Sequence, residues 1–238
     1  MKPTTERSFG AVPNWVVLLL LASLTCQYFV QKNYAAHVAA GKDLPVPPTP
    51  TVVRLASLDS PIFAAQLLML WLQSFDVQPG ISLSFTELDY ARIQGWLKLI
   101  LNLHPHGQYP LLSAARVYAE VDDPPRQRAM LTFVADQFED DPARRWQWLA
   151  HAVYVAKHRL KDRELALQLA ERLAAHRQNL AIPSWATQMN IFVLEDMGEI
   201  ESAKVLLGGL LESGQITDPH ERWFLSKRLA ELEQKSGE

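Results

Sequence analysis

Disulfides are the first thing this chain does without. Its 238 residues include one cysteine, Cys26, so no intramolecular bridge can form and the redox compartment stays open. An excess of charge of either sign is also missing. The 23 Lys and Arg residues against 26 Asp and Glu leave a formal net charge of -3. That lacks the basic excess a nucleic-acid-binding domain shows, and no nucleic-acid partner is expected. Catalytic motifs are absent too. No glycine-rich phosphate cradle follows a strand pattern, and Gly208-Gly209 falls inside a helical one. No nucleophile-elbow signature appears, although triads assemble from distant positions and their lack of a local motif excludes nothing. "HERWF" at 220–224 places Phe224 where a zinc-protease helix needs its second imidazole, so the metal would lack a ligand. His104 and His106 flank Pro105 in a loop with no third ligand, while His151 and His158 lie two turns apart on one helix and read as interior or groove residues. The sequence calls for no metal, no cofactor and no enzymatic activity.

What is present begins with an uncharged N-terminal run. From Ser8 to Gln31 there is no charged residue, and Trp15 to Leu24 is almost wholly apolar. About 20 apolar residues span a bilayer, and residues 9–31 are expected to form a single transmembrane anchor after a short tail, 1–8. Pro13 suits the first turn of such a helix, and Trp15 and Tyr28 suit its interfacial ends. A cleaved signal peptide needs small residues close behind the run, but Gln27, Tyr28 and Phe29 stand there. A lipoprotein site at Cys26 fits Ser23, Leu24 and Thr25 poorly. A buried helix of a soluble domain is disfavoured because Val16 to Leu24 carries no polar stripe. Lys2 and Arg7 before the run and Lys32 and Lys42 after it give only a slight orientation bias. The expectation is a single-pass protein of a bacterial inner membrane with its C-terminal domain exported, the orientation resting on how N-terminal signal-anchors commonly insert.

A proline-rich linker, 32–57, follows. Pro45, Pro47, Pro48 and Pro50 favour a polyproline II spacer reaching roughly 28 Å over nine residues. The composition of the whole chain, 48% hydrophobic and 21% charged, is that of a folded chain rather than a disordered one. An N-terminal helical hairpin is expected over 58–104. Its first helix starts at Asp59-Ser60-Pro61 and is apolar nearly all round to Phe75, which predicts either a buried helix or one that meets a membrane or a partner. Its second is predicted from Glu87 towards Leu103, capped by Thr86.

The rest repeats. Ala129, Ala166 and Ala203 are separated by steps of 37, and the same step aligns Leu111 with Trp148 and Trp185, and Ala115 with Ala152 and Met189. It also aligns Tyr118, Val155 and Phe192, then Ala119, Ala156 and Val193, then Phe133, Ala170 and Leu207. These are the apolar positions of each copy. The stretch "VLEDMGEIESAKVLLGGLLES" shows one joint of the array. Phe192, Val193, Leu194 and Met197 end one helix, Gly198 suits a left-handed cap, and Glu199 and Glu201 suit the positive end of the next. A hairpin of this size cannot bury its face alone, so neighbours are expected.

The pattern over roughly 105–215 resembles tetratricopeptide repeats, in which a large residue, then small and aromatic ones, mark the first helix, with alanine in the second and proline closing the unit. His104-Pro105 and Asp141-Pro142 close units here, and Leu111 and Trp148 each follow the proline by six residues. The step of 37 rather than 34 and Met189 in a small-residue column depart from the family. The fold expected is all-α: an αα-hairpin solenoid of three such hairpins over 105–218, a capping helix over 219–238, and the transmembrane helix in front.

Family likeness also places a binding groove, because the first helix of each pair lines the concave face. Carried across, this implies Leu112, Arg116 and Glu120 from the first unit, Leu149, Val153 and Lys157 from the second, and Ala186, Asn190 and Leu194 from the third. The bland alternative is that some of these are core, Leu149 and Val153 above all. Charge lies in blocks, acidic from Glu120 to Asp141 and basic from Arg144 to Arg163. These blocks pair within the molecule or make a bipolar docking surface. The implied function is a membrane-tethered scaffold or adaptor that holds a protein or peptide partner. The alternatives are a structural subunit of a membrane complex, packed through the apolar first hairpin, and a helical-fold enzyme.

Overall fold

A computed structural model describes residues 13–33, 43–58, 60–76 and 84–236. Among them every regular element is a helix, so the chain is all-α. Two compact units are present. The first contains α1 (Asn14–Asn33). No single described helix is long and apolar enough to cross a membrane, the apolar part of α1 being Asn14–Val30. The expected span started at Phe9, and residues 9–12, like the tail 1–8, lie outside the described residues.

The second unit comprises residues 43–78 and 82–238. Its helices are α2 (Pro50–Ala56), α3 (Pro61–Asp76), α4 (Tyr90–Leu103), α5 (Tyr109–Arg116), α6 (Pro124–Phe138), α7 (Pro142–His158) and α8 (Arg163–Ala175). They continue as α9 (Ser184–Thr187), α10 (Met189–Met197), α11 (Ile200–Glu212) and α12 (Pro219–Ser236). Starts are set by a repeated device, an aspartate whose carboxylate accepts a free first-turn N–H. Asp89, Asp123 and Asp162 do so for α4, α6 and α8, receiving the amides of Arg92, Arg126 and Leu165. Proline follows the N-cap of α6 and α7, where its missing N–H costs nothing. Gly198, at φ 84°, closes α10 as the sequence suggests, since only glycine takes that left-handed geometry without strain.

Neighbours in sequence are neighbours in space. Each of α3, α5, α6, α7, α10 and α11 packs on the next helix, α8 packs on α10, and α4 and α5 also reach α6 and α7 respectively. The columns found at steps of 37 are largely interior: Ala115, Ala119, Ala152, Ala156, Ala166, Ala170, Val193, Ala203 and Leu207 are all buried in the two apolar clusters.

Three expectations need correction. The linker 32–57 is not a free spacer in its described part. Leu44 is buried, its carbonyl accepts from Arg92, the Pro45 carbonyl accepts from Trp96 Nε1, and Pro50–Ala56 is helical. The helix predicted from Glu87 begins instead at Tyr90, because Leu88 is extended and Asp89 supplies the cap; Ser84 caps a separate short 3-10 turn, Phe85–Glu87. The spacing makes buried equivalents of Trp148 and Trp185, and neither is fully buried, least of all Trp185. It is 54% exposed and meets Trp146 edge-to-face at 5.5 Å, whereas Trp148 is half-buried and donates from Nε1 to Gln108 Oε1 at 2.7 Å.

Urea unfolding of single variants checks this asymmetry. Trp148→Ala is expected to lose roughly half of the ~3–5 kcal/mol that truncating a buried aromatic costs, and Trp185→Ala less than ~1 kcal/mol, as at surface positions. Equal losses at both sites would contradict the observed register.

Candidate functional site

The nine residues expected to line a groove do not share one surface. Leu149, Val153, Ala186, Asn190 and Leu194 are buried among neighbouring helices, so no ligand reaches them without repacking. Asn190 keeps its side-chain oxygen buried without a hydrogen-bond partner. Leu112, Glu120 and Lys157 are half-buried, and Arg116 is exposed. The two cations and the glutamate therefore remain as candidates, and they lie within a band of charge that runs along the C-terminal half of α7.

That band has two parts. In the first, Glu120 accepts from Arg159 at 2.8 Å, and its other oxygen stands 4.0 Å from Nε2 of His151, which is shielded from solvent and makes no hydrogen bond. The His151 ring stacks on Tyr154, and Tyr154 in turn meets His158. Burial pushes the His151 imidazole below its ordinary value of 6.5; the Arg116 charge adds to this, Glu120 opposes it, and Arg159 depresses it further. In the second part, an open cleft of about 1010 Å³ lies where α7 turns into α8 and faces the end of α10. Arg128, Lys157, His158, Lys161 and Arg163 line it against Asp162, Glu164 and Asp196. Asp162 pairs with Arg128, and Asp196 takes both Lys157 at 3.6 Å and Arg163 at 3.4 Å.

Much of the block charge is neutralised internally. Asp136 of α6 pairs with Arg172 of α8 at 2.9 Å, and Glu139 with His176 at 3.0 Å, so acidic groups of one hairpin meet basic groups of the next. One residue of the basic block has a role that its place in the block does not show. Arg145 is buried and donates to the carbonyls of Gln137 and Pro105, fixing the turn before α5. Two of its partners are backbone oxygens, which leave no side-chain signature, and the Asp140 carboxylate stands 3.4 Å away. Among the described residues no group of three or more His, Cys, Asp or Glu side chains is placed to hold a metal ion.

The histidine yields a pH dependence with a definite sign. A depressed folded-state pKa means the unfolded chain binds the extra proton first, so stability is complete above about pH 6.5 and declines as the pH falls from there through the folded value. Thermal unfolding of the native chain between pH 8 and pH 5 should show this decline, and His151→Gln should reduce it. An unchanged pH profile in the variant would place the dependence elsewhere.

Compared with protein-family models, curated proteins and solved structures, the chain matches none of them.

Proposed function

We propose that the protein is a membrane-tethered adaptor in which tetratricopeptide-like hairpins hold an acidic segment of a protein partner against the basic side of the α7–α8 turn. The observation that carries this reading is the lining of the large cleft, four Lys and Arg side chains plus His158 against three carboxylates. Arg159 at the end of α7 pairs with Glu120 beside it, and the Arg116 charge of α5 acts on His151 of α7. A net positive cleft concentrates negative segments and speeds their encounter, while nearby carboxylates set which segment fits. The repeat part of the proposal is supported by the burial of the columns at steps of 37 and by the packing of each hairpin on the next. The tether is supported by α1, whose Trp15, Leu18, Leu19, Leu24 and Phe29 are exposed. Apolar side chains in that number need lipid or protein around them.

Arg116→Glu combined with Lys161→Glu tests the cleft. Both side chains are exposed, whereas Lys157 is held by Asp196 and its reversal would disturb the fold. In native membranes, cross-linking followed by mass spectrometry should lose partners captured by the wild type at low salt, with the helical circular dichroism unchanged. Capture of every wild-type partner by the double variant, at low and high salt alike, would reject the cleft as the binding site.

The tether has its own test. The full chain should stay in the pellet after alkaline carbonate washing of membranes. Release into the supernatant, or a mature N-terminus beyond Gln31, would overturn it.

A further inference from the structure

Helix α3 divides sharply between its two sides. Ala65, Met69 and Leu72 are buried in the main core, where Trp71 meets Trp96 of α4 at 4.6 Å with the rings tilted by 54°. On the other side Phe63 is 58% exposed, Leu67 49% and Leu70 64%. At 3.6 residues per turn, positions 63, 67, 70 and 74 fall on one stripe. Ser74 is its polar member, with exposed Gln66 at its edge, and the Ser74 hydroxyl already donates to the Trp71 carbonyl at 2.6 Å. Apolar exposure continues upstream, at Val52 and Leu55 of α2 and at Leu58. From Leu44 to Phe75 the sequence holds two charged residues, Arg54 and Asp59. Asp59 lies outside the described residues, and the Arg54 guanidinium donates to the Asn102 carbonyl at 3.0 Å. A cavity of about 440 Å³ shares Leu70 with the stripe and is otherwise lined by Ala65, Gln66, Met69, Ile100 and Pro110 among others.

We propose that this face of α3 lies in the interfacial layer of a lipid bilayer, with Phe63, Leu67 and Leu70 at the boundary between headgroups and acyl chains. The inference rests on the tether reading above and goes beyond it. Residues 34–42 separate the end of α1 from Asp43, and fully extended they span roughly 30 Å. A tethered chain therefore keeps the start of the second unit, from which α2 and α3 follow directly in the chain, within that reach of the membrane surface. Lipid fits the chemistry better than protein does. A protein-docking face normally carries charged groups that fix register and reject wrong partners, and this stretch holds almost none. A bilayer asks for no register, only for apolar side chains at the right depth.

The test uses the full chain carrying Cys26→Ser, with Leu67→Cys labelled by an environment-sensitive nitrobenzoxadiazole dye. Val205→Cys on α11, at a position 73% exposed, serves as the water-facing control. Both are reconstituted into phosphatidylcholine vesicles with and without doxyl-labelled phosphatidylcholine. The dye at position 67 is expected to emit further to the blue than at 205, to lose at least half its intensity to the doxyl lipid, and to resist aqueous iodide. Phe63→Cys gives a second reading should the first variant fold poorly. Iodide quenching at 67 equal to that at 205 overturns the proposal, because the face is then bare. A blue-shifted dye quenched by neither agent also overturns it, because protein then covers the face. Flotation of the same vesicles separates the two levels of argument. Protein that fails to float removes the tether itself, whereas protein that floats without lipid quenching at 67 removes only the interfacial helix.

Discussion

Close approach between helices at buried alanines is the constraint on which the second unit depends. Ala115 and Ala119, Ala152 and Ala156, Ala166 and Ala170, and Ala203 are completely buried. A methyl group at a crossing lets helix axes come near the lower end of the usual 8–10 Å range, and α7 and α8, the most intimately packed pair, carry four of these alanines between them. Larger side chains then fill the space beside the crossings, as Tyr118, Phe138, Leu149 and Leu173 do. Enlarging any of the alanines would wedge two helices apart and shift every contact further along the array, because interiors packed at crystal-like density absorb added volume poorly.

Charge acts on this frame as a guide rather than as its main support. Surface ion pairs contribute about 0–1 kcal/mol each, so Asp136–Arg172 and Glu139–His176 add little stability singly. Their placement matters more, since each joins one hairpin to the next and penalises a slipped register with like-charge contacts. The Glu195–Arg228–Glu231 group repeats the device between α10 and α12. The α7–α8 turn is where the balance shifts to the cationic side. Lys161 there adopts a left-handed backbone, φ 56°, and is exposed, so its ammonium stands at the lip of the cleft.

Legibility in the sequence followed the kind of partner each residue has. The Gly198 cap and the small-residue columns were readable because both act through spacing along one chain: glycine after a last turn, alanine every 37 residues. Trp185 obeyed the spacing and still came out differently. The segment between α8 and α10 folds as a short separate turn, α9, and the break at Gln188 turns that tryptophan outward onto Trp146. Groove and core were likewise inseparable by pattern. Helix α7 is apolar on more than one side because it packs on α5, α6, α8 and α10, so Leu149 and Val153 look the same whether they face a ligand or a neighbour. The inward role of Arg145 and the docking of the linker were hidden for a simpler reason, that the contacts fixing them include backbone carbonyls as acceptors.

The docked linker also changes what the tether means under the proposed function. A proline-rich spacer left free from 32 to 57 would hold the hairpins on a long leash. With Leu44 buried, Pro45 bonded to Trp96 and Pro47 against Gly95, only 34–42 remain between α1 and the second unit. Effective concentration at a surface falls roughly as the −3/2 power of linker length or more steeply once the span is reached. Docking the prolines thus shortens the tether without shortening the chain, and keeps a cleft for acidic segments close to whatever else occupies the same membrane. Gly95 lets the linker lie close: a Cβ there would stand 2.9 Å from the Pro47 ring, so a side chain at 95 would require that ring to shift against α4.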